Sequence, residues 1–222
     1  DLLSNAHDED LFDYYATGQL ALVDSATGRV TPIGQPKIFD SVEPSPDGRH
    51  ILVEHVHRPY SYLLPLARFP REIEVWDLSG RLVKSIASLP LREDVPLGGV
   101  PTGPRNVGWV PTEPAALYWV EALDDGDPRK KVPHRARVLW LAAPLSAAPK
   151  EILKLQHRYS GIAWGERGDL AIVREFDRER LWTRAWFYNP RDWSQPPRLV
   201  WDMSSQERYN HPGNPVLRTL PS

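Results

Sequence analysis

A pattern of short apolar segments recurs along the chain and limits its fold more than any other feature. The apolar residues Val42, Val107 and Ile162 are each followed two positions later by Pro or Trp, then by a tight turn and an apolar run. Two further runs of the same kind follow each time. Short runs closed by Gly, Pro and Asp turns are typical of β-strands. Each repeat therefore predicts four antiparallel strands.

Four-stranded units in tandem are typical of β-propeller blades. The sequence predicts an all-β fold, a partial β-propeller of about three to four four-stranded antiparallel blades, where complete propellers have roughly four to eight. The predicted units are a blade end at about 16–36, blades at about 38–90, 104–156 and 159–203, and the start of a next blade at about 212–222. The segment before Ala16 is predicted to cross between units without forming a strand.

The connections between the predicted strands differ in length. Because neighbouring strands run in opposite directions, the first and third turns of a blade lie on one face, and the remaining connections lie on the other. The first face carries short turns such as SPDG and GERG, whereas the second carries long segments such as HRPYSYLLPLARFPRE. Long loops on a rigid scaffold concentrate binding residues. We expect the second face to be a contact surface.

Composition excludes several classes of protein. A net charge of -2 argues against a nucleic-acid surface spread over the whole protein, and no apolar run is long enough for a membrane helix. Absence of cysteine excludes disulfides and Cys-ligated metals. We expect a soluble protein with neither nucleic acid nor membrane as partner. The compartment stays unknown, with the periplasm or secretion as alternatives for a bacterial source, and a start at Asp1 without methionine predicts a fragment.

No residue pattern predicts catalysis, a metal or a cofactor. The chain has no G-x-S-x-G motif, no P-loop and no Rossmann fingerprint. Ser160 lacks the upstream glycine and is interpreted as structural. His55 and His57 share a strand face but lack a third ligand, and the acidic run that begins at Asp124 lacks an EF-hand's downstream glutamate. We interpret the histidines as solvated or hydrogen-bonded and the acidic run as a solvated loop.

Arginines in the long connections are the candidates for substrate binding, because a guanidinium binds carboxylates through paired donors. The competing interpretation of each is a surface salt bridge or, for the tyrosines, packing within the loop. The tryptophans are assigned to packing between blades. The candidate substrate-binding residues are Arg58, Tyr60, Tyr62, Arg68, Arg71, Arg105 and Arg135.

Several long segments resemble the propeller region of the glutamyl endopeptidase-like branch of the prolyl oligopeptidase family. They include YYATGQLALVDSATG, FDSVEPSPDGRHILVEHVHRPYSYLLPLARFPREIEVWD, VPLGGVPTGPRNVGW and the tail SSQERYNHPGNPVLR. The resemblance implies a propeller that covers the catalytic face of a C-terminal α/β-hydrolase domain carrying Ser, Asp and His. None of that triad matches a position here, so the catalytic domain is expected to be absent from this chain.

The leading hypothesis is a non-catalytic propeller portion of a serine peptidase, which gates access to the active site and helps to bind peptide. A free-standing propeller that binds other proteins is the alternative, and a propeller glycosidase is a third. A G-x-S-x-G motif further along the reading frame would favour the peptidase. The expected partners are the chain's own α/β-hydrolase domain, a peptide substrate and, because an incomplete propeller exposes apolar faces, a second copy of the chain.

Overall fold

The computed structural model describes residues 2–192, 194–213 and 216, and within them the chain forms one α-helix and thirteen strands. The helix α1 spans Ala6–Ala16, and a short 3₁₀ turn spans Leu66–Arg68. The strands are β1 (Gly18–Val23), β2 (Val30–Pro44), β3 (His50–Val56), β4 (Arg71–Asp77), β5 (Leu82–Leu89), β6 (Arg105–Trp109), β7 (Leu117–Ala122), β8 (Ala136–Leu141), β9 (Lys150–Leu155), β10 (Arg158–Trp164), β11 (Ala171–Asp177), β12 (Trp182–Tyr188) and β13 (Arg198–Ser204).

The strands form three antiparallel sheets in which every strand pairs with its neighbour in sequence. The first sheet runs β1-β2-β3-β4-β5, the second β6-β7-β8-β9 and the third β10-β11-β12-β13. Short turns suffice to join antiparallel neighbours, so this order follows from the spacing of the apolar runs. The prediction of an all-β fold built as a partial propeller is confirmed, and none of the described sheets closes into a barrel.

The segment before Ala16 forms α1, a helix that the sequence analysis did not predict. Asn5 caps its N-terminus, where the Asn5 side chain accepts a hydrogen bond from the backbone N–H of Asp8 (3.0 Å). None of its residues is fully buried, but Phe12 packs edge-on against Tyr60, with ring centroids 5.1 Å apart. The helix is therefore attached to the connection between β3 and β4.

Strand β2 belongs to two hydrogen-bonded ladders. Its first part pairs with β1, as Ile33 does with Leu20, and its second part pairs with β3, as Val42 does with Val53. Gly34 lies within the first part, between the paired residues Ile33 and Lys37, at a φ of 64°, a left-handed conformation that suits glycine. The prediction of a separate blade end at about 16–36 stays a prediction, as do the other unit boundaries.

Apolar layers lie between successive sheets. Leu52, Ile73 and Val75 of the first sheet belong to one buried cluster with Trp109 and Leu117 of the second. A second cluster joins sheets two and three. It contains the buried residues Val120, Ala136, Val138, Leu153, Leu155, Val173 and Tyr188. Face-to-face packing of this kind fixes the three sheets side by side.

Tryptophans contribute to these layers, as the sequence analysis predicted. Trp76, Trp109, Trp119 and Trp140 are all buried. The Trp109 indole also donates a hydrogen bond to the carbonyl of Glu43 (3.0 Å), which ties β6 to β2. Trp109, Trp119 and Trp140 therefore serve packing between sheets, whereas Trp76 packs against residues of the first sheet alone. None of these four buried rings is free to stack on a ligand.

The long connections of different sheets contact one another. The backbone N–H of Val100, between β5 and β6, donates to the carbonyl of Gly126, between β7 and β8 (3.1 Å). In the same way Arg92 donates to the carbonyl of Arg68 (3.0 Å). We call this side the loop face. It consists of the connections 57–70, 90–104, 123–135, 156–157 and 178–181.

Most of the other connections lie on the opposite side, which we call the turn face. The backbone N–H of Asp47 there donates to the carbonyl of Pro114 (3.0 Å). The turn face consists of the connections 45–49, 78–81, 110–116, 142–149, 165–170, 189–192 and 194–197. The longest connections share the loop face, as predicted, although 142–149 and 189–197 are longer than the short turns expected on the other face.

Two further predictions concern the last residues of the chain and membrane-spanning helices. The predicted start of a next blade at about 212–222 lies outside the described residues, except for 212, 213 and 216. Within the described part of the chain, no helix has the length and apolar character needed to cross a membrane.

We expect Gly126→Ala to destabilise the fold by about 1–3 kcal/mol. Gly126 has a φ of 75°, and a Cβ atom there would lie 2.0 Å from the carbonyl oxygen of Val100. The substitution would therefore strain the backbone and separate two connections of the loop face. Urea denaturation measures the effect. Gly18→Ala is the control, since a Cβ at Gly18 meets nothing within 4 Å, and equal effects of both substitutions would contradict this account.

Candidate functional site

All seven predicted binding residues lie on the loop face or at the strand ends that border it, but the structure divides them into three groups. The first group consists of Arg58, Tyr60 and Tyr62 beside α1. The second consists of Arg68 and Arg71 in the first sheet. The third consists of Arg105 and Arg135 between the second and third sheets. Their roles in binding stay predictions, and the contacts of each group differ.

Arg58 is committed to the acidic side of α1. Its guanidinium donates to Asp13 (2.9 Å) and Asp10 (3.0 Å) and also pairs with Glu9. The hydrogen bond from Arg58 to Asp13, together with the other carboxylates, raises the pKa of the Arg58 guanidinium. This arginine already has three carboxylate partners within the chain, so an acidic ligand would have to compete with them.

The two tyrosines follow the same pattern. Tyr60 is buried, and its hydroxyl donates to Asp13. Burial and this hydrogen bond to an anion raise the pKa of Tyr60. Tyr62 is exposed and lies within hydrogen-bonding reach of Glu9. Packing within the loop, which the sequence analysis held as the alternative for these residues, accounts for Tyr60.

Arg71 is buried at the start of β4 and holds two strands together. It donates to Asp40 on β2 (2.6 Å), to Glu54 on β3 (3.3 Å) and to the carbonyl of Leu66 (3.1 Å). Burial raises the pKa of Glu54 even though Arg71 acts in the opposite direction. Arg71 is therefore an internal ion-pair partner.

Arg68 is tied to the backbone of the same face. It donates to the carbonyl of Arg92 (3.3 Å), on the connection between β5 and β6. This contact joins two long connections. Among the described residues, Arg68 forms no ion pair with a carboxylate.

The third group surrounds one buried carboxylate. Asp124 is 1 % exposed and accepts two hydrogen bonds from Arg158, at 2.7 and 2.6 Å, and one from Arg135 (2.8 Å). The backbone N–H of Gly126 donates to it as well (3.1 Å). The paired donors of Arg158 match the two carboxylate oxygens, which is the strong geometry for this kind of ion pair.

The structure differs from the sequence-based predictions at Asp124 and Arg158. The prediction of a solvated acidic loop is wrong for Asp124, because two arginines neutralise it within the fold. It holds for the neighbouring Asp125, whose side chain is 79 % exposed. Arg158, the first residue of β10, was not among the predicted candidates. The connection before it is short, and nothing in the local sequence indicates a contact with Asp124.

Arg105 differs from every other candidate. It is half-buried at the start of β6, and its Nε and Nη2 atoms are buried without a hydrogen-bond partner among the described residues. Burial and the charge of Arg158 lower the pKa of the Arg105 guanidinium to about 10. A buried cation that lacks a counter-ion is costly, so this residue marks the part of the loop face where an anion would be most favoured.

The histidines are in hydrogen-bonded pairs. His55 lies 3.3 Å from Glu74, and His57 lies 3.3 Å from Glu72. Among the described residues no group of three or more His, Asp or Glu side chains is arranged to hold a metal ion. These side chains bridge β3 and β4 within the first sheet.

One cavity lies on the turn face, away from the candidates. Its volume is about 710 Å³, and its lining includes Glu113, Trp140 and Arg191. A smaller cavity of about 70 Å³ lies on the loop face between sheets two and three, where Arg135 and Arg158 contribute to its lining. A further cavity of about 420 Å³, whose lining includes Leu97 and Arg129, also lies on the loop face. Cavities therefore occur on both faces, and the candidate arginines lie on the predicted contact surface.

The chain matches part of two longer curated proteins. The chain is 42% identical over 222 residues to "Probable glutamyl endopeptidase, chloroplastic" of Oryza sativa subsp. japonica and 40% identical to the protein of the same name in Arabidopsis thaliana. Each alignment covers 98% of this chain but only 24% and 23% of the relative. The predicted resemblance to the propeller region of glutamyl endopeptidase-like proteins is confirmed. No protein-family model matches the chain.

Solved structures support the fold alone. An uncharacterized protein of Listeria monocytogenes EGD-e matches with a TM-score of 0.50 and 16% identity, over 84% of this chain and 47% of its own. An oligogalacturonate lyase matches with a TM-score of 0.50 and 11% identity, over 83% of this chain and 48% of its own. Sequences this different retain a common arrangement of strands.

We predict that α1 detaches from the loop face in acid. Partial burial opposes ionisation of Asp13, but hydrogen bonds from Tyr60 and Arg58 outweigh it and lower the pKa of Asp13. An acid whose pKa falls on folding stabilises the folded form above its unfolded pKa of about 4, and this contribution is lost as the pH falls through the folded value.

A fluorophore attached through Tyr14→Cys, at an exposed position of α1, reports this change. Its anisotropy should fall below about pH 4 while far-UV circular dichroism still shows the sheets. Asp13→Asn should give low anisotropy at neutral pH. Asp10→Asn, at a carboxylate whose side chain is 77% exposed, is the control. Identical pH curves for the unsubstituted chain and Asp13→Asn would contradict the prediction.

Proposed function

We propose that this chain is the non-catalytic β-propeller portion of a serine peptidase of the prolyl oligopeptidase family. It would gate access to the active site and contribute to binding of the peptide substrate. The observation that carries the proposal is its identity of 40% or more, along 98% of its length, to proteins named as glutamyl endopeptidases. A partial propeller is also the fold expected for the portion of such a peptidase that would gate the active site.

Catalysis would come from another part of the whole protein. The chain contains no G-x-S-x-G motif, and among the described residues no serine is hydrogen-bonded to a histidine side chain. It spans about a quarter of the length of its curated relatives. We therefore assign the nucleophile and its partners to an α/β-hydrolase domain outside these residues.

The loop face suits a gate for physical reasons. Its connections are long, yet they are fixed by hydrogen bonds between sheets, as between Val100 and Gly126. Apolar clusters between the sheets keep the scaffold rigid. A rigid rim of loops over a catalytic domain would admit an extended peptide and exclude a folded protein, since the loops cannot part without breaking these contacts.

Deleting 93–98 from the loop face of the full-length protein should weaken the gate. We expect hydrolysis of a folded protein to rise several-fold relative to hydrolysis of a short peptide, because a wider opening relieves size exclusion. Deleting 146–149 from the turn face is the matched control, since these residues are exposed but lie on the opposite side. Unchanged size selectivity after the first deletion, or equal change after both, would contradict the gating role.

The two outer sheets expose apolar side chains that further parts of the whole protein would cover. Val23 and Val30 on the first sheet are 62% and 61% exposed, and Leu199 on the third is 44% exposed. We expect the isolated chain to associate with itself through these faces. Light scattering over a range of concentrations measures this, and a monodisperse monomer throughout would contradict the expectation.

A further inference from the structure

We propose that Arg105, next to Arg158 on the loop face, binds the carboxylate side chain of an acidic residue in a peptide. The proposal rests on the function proposed above and names the substrate class that this part of the gate recognises. It selects one residue among seven candidates. The selection rests on which arginines already have hydrogen-bond partners within the chain.

The unpaired atoms of Arg105 have the right chemistry for a carboxylate. Nε and Nη2 lie along one edge of the guanidinium, and both lack a hydrogen-bond partner among the described residues. A carboxylate bridges such an edge with two parallel hydrogen bonds. Unpaired buried donors are uncommon in folded proteins and call for an explanation, of which a ligand is one.

The charges around Arg105 also favour an anion. The carboxylate of Asp124 offsets part of the charge of Arg105, and it is already bound by Arg158 and Arg135. Three guanidinium groups therefore share the negative charge of Asp124. A second carboxylate would restore the balance, whereas a buried water molecule would satisfy the donors and leave the excess positive charge.

The other arginines of the first sheet already have partners. Arg58 is paired with three carboxylates of α1, Arg71 is paired with Asp40 and Glu54, and Arg68 donates to the carbonyl of Arg92. A peptide carboxylate would have to compete with the ion pairs of Arg58 and Arg71. At Arg105 it would replace no internal carboxylate, so the free energy of the new ion pair would contribute to binding.

The position of Arg105 is suitable for contact with substrate. Arg105 and Arg158 are the first residues of β6 and β10, which are the first strands of their sheets. The blades of a complete propeller surround a central channel, and we expect these first strands to border it. Arg105 is half-buried at the loop face, whereas its Nε and Nη2 atoms are buried, so a peptide carboxylate would reach them after the side chain turns outward.

Calorimetric titration of the full-length protein tests the proposal. The probes are two N-acetylated, C-amidated peptides, made uncleavable by backbone N-methylation, which differ only in a central glutamate or glutamine. A third, glutamine-containing peptide with a free C-terminus tests for binding of a terminal carboxylate. The variants are Arg105→Met, Arg105→Lys and the matched control Arg167→Met, at a turn-face side chain that is 85% exposed.

We expect Arg105→Met to weaken binding of the glutamate peptide about tenfold or more, with less than about a twofold change for the amidated glutamine peptide. Arg105→Lys should lie between, because it keeps the charge but loses the paired donors. Arg167→Met should change neither. The urea midpoint of Arg105→Met should equal or exceed that of the unsubstituted protein, since the guanidinium has no internal partner to lose.

Equal effects on the glutamate and glutamine peptides, or no effect on either, would overturn the proposal. So would a lower urea midpoint for both Arg105→Met and Arg105→Lys, which would show a structural role. If Arg105→Met weakened binding only of the peptide with a free C-terminus, the proposal would also be overturned. That result would indicate recognition of a terminal carboxylate and not of a side chain. If the unsubstituted protein hydrolyses no peptide, the proposed function fails, while the binding result still decides the role of Arg105.

Discussion

Face-to-face packing of neighbouring sheets is the interaction on which the rest of the structure depends. Leu52, Val75, Trp109 and Leu117 are buried between the first two sheets, and a comparable layer separates the second from the third. Because the sheets lie side by side, corresponding connections of each meander meet their counterparts. The loop face exists only because the apolar layers set this alignment, so the position of every candidate residue follows from it.

The electrostatics of the loop face depend in turn on which charges the fold has already neutralised. Arg58 and Arg71 hold elements together through carboxylates of α1, β2 and β3. Asp124 gathers Arg135 and Arg158 across two sheets. Arg105 borders that cluster without a carboxylate of its own. A face rich in arginine thus offers far fewer sites for an anionic ligand than its composition indicates.

Local patterns were sufficient to predict the meander and the separation of long and short connections. Alternating apolar runs and SPDG-type turns report on neighbours in sequence, and antiparallel neighbours are also neighbours in space. Helix α1 could not be predicted in this way, because it buries no residue fully and is held by Phe12, Asp13 and their partners around Tyr60. Its acidic, tyrosine-rich sequence carries no apolar stripe.

The candidate site was predictable only as a face. Burial of Asp124 depends on Arg158, a residue 34 positions further along the chain, and a single sequence does not reveal such a pair. The same limit applies to Arg71, whose partners lie on two other strands. Sequence could therefore locate the arginines on one side of the molecule but could not separate the paired ones from Arg105.

Photo-crosslinking of the full-length protein tests most directly whether the loop face is the side that meets substrate. A photoreactive residue replaces Leu97, which is 96% exposed on the loop face, or Arg81, whose side chain is 83% exposed on the turn face. The account predicts that an acidic peptide crosslinks at position 97 and not at position 81. Crosslinking at position 81 alone would contradict it.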